Sequence, residues 1–342
     1  MTITTRLALV LALALGATAG CGTDPSSEGG GGSGSGDDQP APLDATGSYA
    51  MHSTFDLATN MPGTAGTVVN TIIAATDDRD DPTKWIVDQI LAQLPSGVIK
   101  SALITSEDFV VGYLNQRLLD LAPDFVPTVV LVGHDFGDIA KHFGLDETLV
   151  LTRTGTGYTA THTIVGVHYK LGNQEGDFLL TSYHVANVVV DNVAVTMDST
   201  GQLTIAAHSV PLAYGKLLRL GLDAAIIPLI DSSAHSLNEL LAHKVNCQKV
   251  GSAIGDAIGF GASAFTTACS GGLVAGANLV YSKIDAIDAT ALQFGLNGSA
   301  RAVDRNNDRR IDSIQTGTWS GTLAYGATPT PLIPATFFGE RM

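Results

Sequence analysis

Val185–Leu212 reads VANVVVDNVAVTMDSTGQLTIAAHSVPL, and the fold turns on that stretch. Val185 to Met197 and Leu203 to Val210 alternate or run β-branched, and Asp198-Ser199-Thr200-Gly201 between them has turn chemistry. This predicts two antiparallel strands joined by a short turn. The pattern extends upstream through Leu149 and Leu151, then His162, Ile164 and His168, with turns at Gly155-Thr156-Gly157 and Gly172-Asn173. Residues from about Leu145 to Tyr214 therefore read as antiparallel sheet.

Further toward the N-terminus the period changes. Asp124 to Phe143 predicts a helix broken near Gly144, and Trp85, Ile86, Ile90, Leu91, Leu94 and Phe109, Val110, Leu114, Leu118, Leu121 repeat at helical spacing. Before Asp77–Pro82, Ala45 to Thr76 is strand-like: Tyr49, Met51, Phe55 and Leu57 share one face, and Val68, Val69, Ile72 and Ile73 form a second run. Toward the C-terminus, Lys216 to Ile284 predicts a second helical block. Ala289–Val303 and Ile314–Tyr325 predict a closing strand pair. Without βα alternation, the sum is an α+β domain over 45–342, an antiparallel β-sheet packed against two helical blocks.

The chain has 342 residues, with 18 basic and 33 acidic side chains and a net charge of −15. That balance argues against a nucleic-acid partner, because phosphate binding needs clustered Lys and Arg. Residues 1–20 read as an export signal: Arg6 is the basic start, Leu7–Leu15 the apolar core and Gly16–Gly20 the small-residue end. Thr18-Ala19-Gly20-Cys21 resembles the bacterial lipobox, with Thr18 where Leu is usual; the resemblance implies lipidation of Cys21 and anchoring to a membrane. Residues 21–44, with Gly29 to Gly36 alternating only with Ser, read as a flexible tether. The alternative is an ordinary secreted protein cleaved nearby.

An exported chain meets an oxidising compartment, so the two remaining cysteines, Cys247 and Cys269, are expected to form a disulfide; two buried free thiols are the alternative. Gly251, Gly255 and Gly259 recur every four residues in the same region, which suits a close-packed helical hairpin; a late transmembrane helix and a lipid-facing or ligand-lining element are the alternatives.

Four candidates for chemistry stand out. Asp304-Arg305-Asn306-Asn307-Asp308-Arg309-Arg310-Ile311-Asp312 resembles the calcium loops of EF-hand and dockerin proteins. The resemblance implies calcium on Asp304, Asn306, Asp308 and Asp312, with the Arg310 carbonyl. Arg309 stands where such loops carry Gly, and Gln315 where they carry Glu; a solvated turn is the alternative. Val130-Leu131-Val132-Gly133-His134-Asp135-Phe136-Gly137 resembles the nucleophile elbow of haloalkane dehalogenases and epoxide hydrolases. That implies an α/β-hydrolase with Asp135 as nucleophile and His208, His235 or His243 as base. The competing reading is an amphipathic helix through Val129, Val132, Phe136, Ile139 and Phe143. His162, His168 and His184 are a third candidate, three imidazoles that could converge on a metal; scattered surface or core histidines are the alternative. Gly317-Thr318-Trp319 resembles the Gly-x-Trp pattern of calycin barrels but lies near the C-terminus, so Trp319 reads as a core anchor of the last hairpin.

As a whole the chain resembles lipoproteins of predatory and soil bacteria of the myxobacterial kind. The expectation is a lipid-anchored protein of the bacterial cell envelope, facing the periplasm or exterior. It would be a non-enzymatic binding or structural module, its candidate ligand an apolar molecule or lipid held between the sheet and the Gly-rich helices. The alternative function is the Asp135 hydrolase.

Overall fold

The computed structural model describes residues 42–70 except 64, 116–117, 120–258, 261–289, 292–326 and 328–342. The export signal, Cys21, nearly all of the tether and most of the first helical block lie outside the described residues.

Among the described residues there are ten strands: β1 (Gly47–Phe55), β2 (Phe143–Thr154), β3 (Gly157–Leu171), β4 (Gln174–Leu179), β5 (Val188–Met197), β6 (Gln202–Leu212), β7 (Leu292–Val303), β8 (Ser313–Tyr325), β9 (Thr328–Pro331) and β10 (Ala335–Arg341). They follow one another as antiparallel neighbours, and β10 pairs with both β8 and β1. Eight strands thus close into a barrel, with β4 added to β3 and β9 to β8. This corrects the expected open sheet packed against two helical blocks. The overlooked element is β10, whose ATFFGER alternates Ala335, Phe337 and Gly339 inward with Thr336 and Phe338 outward. Register sets Ala335 against Trp319 and Tyr49 against Arg341, so this short strand closes both open edges.

Period-two alternation fills the inside. Tyr49, Met51, Phe55, Phe294, Trp319 and Phe337 are all buried. Glycines make room for them: a Cβ on Gly298 would lie 2.6 Å from the Trp319 ring, and one on Gly317 would lie 2.5 Å from the Phe337 ring. The Trp319 and Phe337 centroids are 4.4 Å apart. An eight-stranded barrel is just wide enough to be filled this way, so its interior is a packed core. Outward positions on β2 and β3 include Asp146, Thr148, Thr152, Thr159 and Thr161, with Val150 among them, so this face is mainly polar. No helix among the described residues is long and apolar enough to cross a membrane.

Both helical insertions leave from one mouth, where Phe55 pairs with Phe143 and Leu212 with Leu292. The first carries α1 (Phe125–Lys141). Residues 65–70 are helical as well, so Val68 and Val69 belong to a helix and not to the strand-like run expected over Ala45–Thr76. The second insertion begins with α2 (Tyr214–Leu220), which runs through a π-helical turn, Gly221–Ile226, into α3 (Ile227–Ile230). It continues with α4 (Leu237–Lys244), α5 (Cys247–Ile258) and α6 (Ala262–Asp285). Tyr169 ties barrel to cap: its hydroxyl donates to the Leu217 carbonyl at 2.6 Å, and Phe143 meets the Tyr169 and Tyr214 rings edge-on. The expected tight hairpin is α5–α6, where a Cβ on Gly255 would lie 2.7 Å from Ala262. A disulfide joins Cys247 to Cys269 across it.

The other mouth is closed by Leu43–Ala45 and the Asp-rich loop. Ile311 of that loop is fully buried, and Asp44 bridges to Arg310. The Tyr49 hydroxyl donates to the Ala45 carbonyl at 2.9 Å, and the Tyr158 hydroxyl accepts the Ala45 N–H at 3.1 Å.

Candidate functional site

Asp135 lies in the middle of α1, and Val130–Val132 are helical residues, so the strand-to-helix turn of a nucleophile elbow is not formed. Its carboxylate sits 3.4 Å from His134 Nδ1, and burial raises its pKa. Two of the three bases considered for it are engaged elsewhere, and His235 lies at the margin of a cleft at the helix-capped mouth. His208 faces His162, and His243 Nδ1 is 3.2 Å from Asp231. The helical reading of this run, with Phe136 and Ile139 buried, is the one that folds.

The three-histidine convergence fails for a reason visible in the register. Asp146 pairs with Gly166 but Glu147 pairs with Ile164, leaving Val165 as the extra residue of a β-bulge. The bulge reverses the alternation of β3: His162 points into the barrel, His168 points out, and His184 ends the short helix after β4. Glu147 and Asp146, adjacent in β2, point to opposite faces by ordinary alternation, Glu147 inward and Asp146 outward.

Inside the wall the bulge assembles a polar chain. Trp319 Nε1–H donates to Ser53 Oγ at 2.9 Å, and the Ser53 hydroxyl donates to Glu147 Oε2 at 2.6 Å. Glu147 Oε1 faces His162 Nε2 at 3.4 Å with both side chains fully shielded. His162 Nδ1 meets His208 Nε2 at 2.9 Å, and His208 Nδ1 meets the Ala206 carbonyl at 2.9 Å. The carbonyl can only accept, which fixes the direction of the chain: His208 Nδ1 donates, so neutral His208 Nε2 accepts and His162 Nδ1 donates. Neutral His162 then offers Nε2 as an acceptor toward a carboxylate oxygen. One proton must sit in that gap, on Glu147 or on His162, because two facing acceptors in a shielded core are costly. Burial lowers the pKa of His208. Composition and spacing give no hint of this chain, since its members come from five strands.

Outside the same wall, Asp146, His168 and Asp177 each offer a ligand atom, all within 4.8 Å of one another. Among the described residues this is the only such group of His, Asp, Glu or Cys. His168 Nδ1 lies 2.6 Å from Asp177 Oδ1, and His52 Nδ1 lies 2.8 Å from Asp146 Oδ1. Burial, and Asp177 after it, raise the Asp146 pKa.

The Asp-rich loop is a hairpin turn whose acceptors cap its own backbone. Asp304 Oδ2 accepts from Arg309 N, Asn306 Oδ1 from Asp308 N, Asp308 Oδ1 from Arg310 N and Asp312 Oδ2 from Arg305 N. Asp304 Oδ1 is buried with no hydrogen-bond partner. Asn307 and Arg309 adopt left-handed backbone, with φ of 61° and 72°. Arg309 thus takes the conformation for which calcium loops use Gly.

At the capped mouth, a cleft of about 830 Å³ opens between the β4–β5 connection and the α2–α3 segment. Tyr183, His184 and Val185 form one side, and Lys216, Arg219 and Asp223 the other, with His235, Asp285 and Asp288 at its margin. Arg219 is fixed by Asp285 at 3.0 Å, by Asp223 at 3.6 Å and by the Tyr281 ring 4.4 Å below it. The Tyr281 hydroxyl donates to Asp223 at 2.5 Å and accepts from Leu237 N at 2.8 Å. Asp288 accepts the Gly215 and Lys216 N–H groups at 2.8 and 2.9 Å. Burial raises the pKa of both Asp223 and Asp288. The lining is charged and hydrogen-bonded, unlike the apolar seam expected between sheet and Gly-rich helices.

No family model, curated protein or solved structure matches the chain.

Proposed function

We propose that the chain is an envelope lipoprotein anchored through Cys21, and that its barrel carries a non-enzymatic binding module for a small polar ligand. The observation that carries the reading is the cleft of about 830 Å³ at the helix-capped mouth, within the range of small-molecule sites. Lys216 and Arg219 beside Asp223 and Asp288 suit a ligand that presents both donors and acceptors, and the Tyr183, Val185 and Leu220 side chains give it an apolar wall. Because the barrel interior is packed and the α5–α6 hairpin is closed, the ligand shifts from the lipid expected from sequence to a hydrophilic molecule. The Leu43–Ala45 segment joins the barrel at the mouth opposite the cleft.

Intact mass spectrometry on protein purified from membranes, run natively and after organic extraction, tests this. A diacyl or triacyl mass on Cys21 with a co-purifying polar molecule that is lost in Arg219→Ala supports the reading. A chain without acyl mass removes the anchor, and a bound lipid in the extract returns the ligand to the apolar class.

A calcium ion on the Asp-rich loop is a separable proposal. The buried, unpartnered Asp304 Oδ1 and the left-handed Arg309 favour it. The other acceptors of the loop are engaged by backbone N–H groups, so the ion would be a weak structural clasp at that mouth.

A further inference from the structure

We propose that Asp146, His168 and Asp177 bind a borderline divalent ion of the zinc type on the outer wall of the barrel, with His52 orienting Asp146. The bulge at Val165 turns His168 outward, onto the face that already carries Asp146. Strand β4 then brings Asp177 opposite His168. An ion about 2.0–2.2 Å from each ligand needs donor atoms roughly 3.4 Å apart, the edge of a tetrahedron of that size. The observed spacing straddles this: 2.6 Å between His168 and Asp177, and at most 4.8 Å across the three. A small rotation of the exposed Asp177 opens the pair to that edge.

Space is the second, independent observation. The cross-strand neighbours of the two inner ligands are both glycines: Gly144 opposite His168 and Gly166 opposite Asp146. A Cβ on Gly166 would lie 3.0 Å from Asp146 Oδ2, and one on Gly144 would lie 2.8 Å from His168 Cβ. Any other residue there would crowd the volume in front of the ligands.

The donor set selects the ion. One imidazole nitrogen and two carboxylate oxygens suit zinc and its neighbours, whereas calcium takes six to eight oxygens, which this face does not offer. His52 Nδ1 holds Asp146 Oδ1, and the His52 ring stacks on Phe338 at 5.1 Å, so Oδ2 is left for the ion. This is the carboxylate-orienting contact that metal sites use beyond their ligands. A water would take the fourth position.

The test is calorimetric titration of the full-length chain with zinc chloride, calcium chloride and magnesium chloride, together with anomalous diffraction at the zinc edge. The expected result is one zinc site, with an anomalous peak between Asp146, His168 and Asp177. His168→Ala and Asp177→Asn, both at partly exposed positions, should abolish that peak while leaving the melting temperature of the metal-free chain unchanged. His52→Ala should weaken zinc by roughly 10–100-fold. Absence of zinc binding overturns the proposal. So does zinc binding that survives His168→Ala, or a peak at other histidines.

Discussion

Glu147 Oε1 lies 3.4 Å from His162 Nε2 in the centre of the barrel, and neither side chain touches solvent. Directionality along the chain from Trp319 to Ala206 leaves one proton to be held between these two atoms. Glu147→Gln is therefore the informative substitution. Its amide can donate to His162 Nε2 while its carbonyl accepts from Ser53, so the expected cost is small, within about 1 kcal/mol. Glu147→Ala removes the group that faces His162 Nε2 and the acceptor of the Ser53 hydroxyl proton in a shielded space and should cost about 3–5 kcal/mol. Chemical denaturation measures both. Equal losses for Gln and Ala would mean that the ionised carboxylate, and not a proton-bearing group, is what the core requires.

The same chain gives a pH dependence whose sign can be worked out. Burial depresses the pKa of His208 in the fold, with His162 and Glu147 as its charged or titratable neighbours. A histidine with a depressed folded pKa contributes stability above its unfolded value of about 6.5, lost as pH falls through the folded value. Acid charges His208, and its Nε2 then becomes a second donor facing the His162 Nδ1 donor. Stability should fall below about pH 6.5, approaching about 1.4 kcal/mol per pH unit for this group. Melting temperatures from pH 5 to 8 measure it, and His208→Gln should flatten the acid limb. An unchanged limb would place the acid sensitivity elsewhere.

Much of the wall of the barrel was legible. The strands around Leu149, Ile164, Val193 and Leu203 follow from period-two alternation, as does α1 from its three-and-four spacing. Closure was not legible, because it depends on ATFFGER at the very end of the chain, seven residues whose partners lie nearly three hundred residues upstream in β1. The sites were hidden for a different reason. Residue parity predicts that His162 and His168 share a face, and one extra residue, Val165, reverses it. A bulge has no signature in composition, so the turning of His168 away from the face of His162 could not be assigned in advance. The cleft draws on residues from Tyr183 to Asp288, gathered by folding and not by any motif.

For the Asp-rich loop, calcium and the backbone compete for the same oxygens. If an ion uses Asp304 Oδ1, saturating calcium should raise the melting temperature, because a ligand bound only to the folded state stabilises it. Asp304→Asn should remove that rise while retaining an oxygen to accept from Arg309 N. A melting temperature indifferent to calcium and to chelation would leave the loop as a self-capped plug. In either case Ile311→Ala should cost about 2–5 kcal/mol, since Ile311 is the fully buried side chain that the loop delivers into the mouth.

The Cys247–Cys269 bond spans 22 residues and clamps α5 against α6. Loop-closure entropy for that length gives about 3 kcal/mol of stabilisation. The two helices also interlock without it: a Cβ on Gly255 would collide with Ala262, so the close approach rests on small residues as well as on sulfur. The reduced chain should therefore keep its helical content but melt at lower temperature, and Gly255→Leu should separate the helices even with the disulfide intact. Circular dichroism with and without reductant reads the first, and the rate of reduction of the bond in Gly255→Leu reads the second. If the hairpin is held by packing, the bond in Gly255→Leu will be reduced faster than in the parent chain. An unchanged rate would mean that Cys247 and Cys269 alone set the distance between the helices, and that the glycines at 251 and 255 serve another purpose.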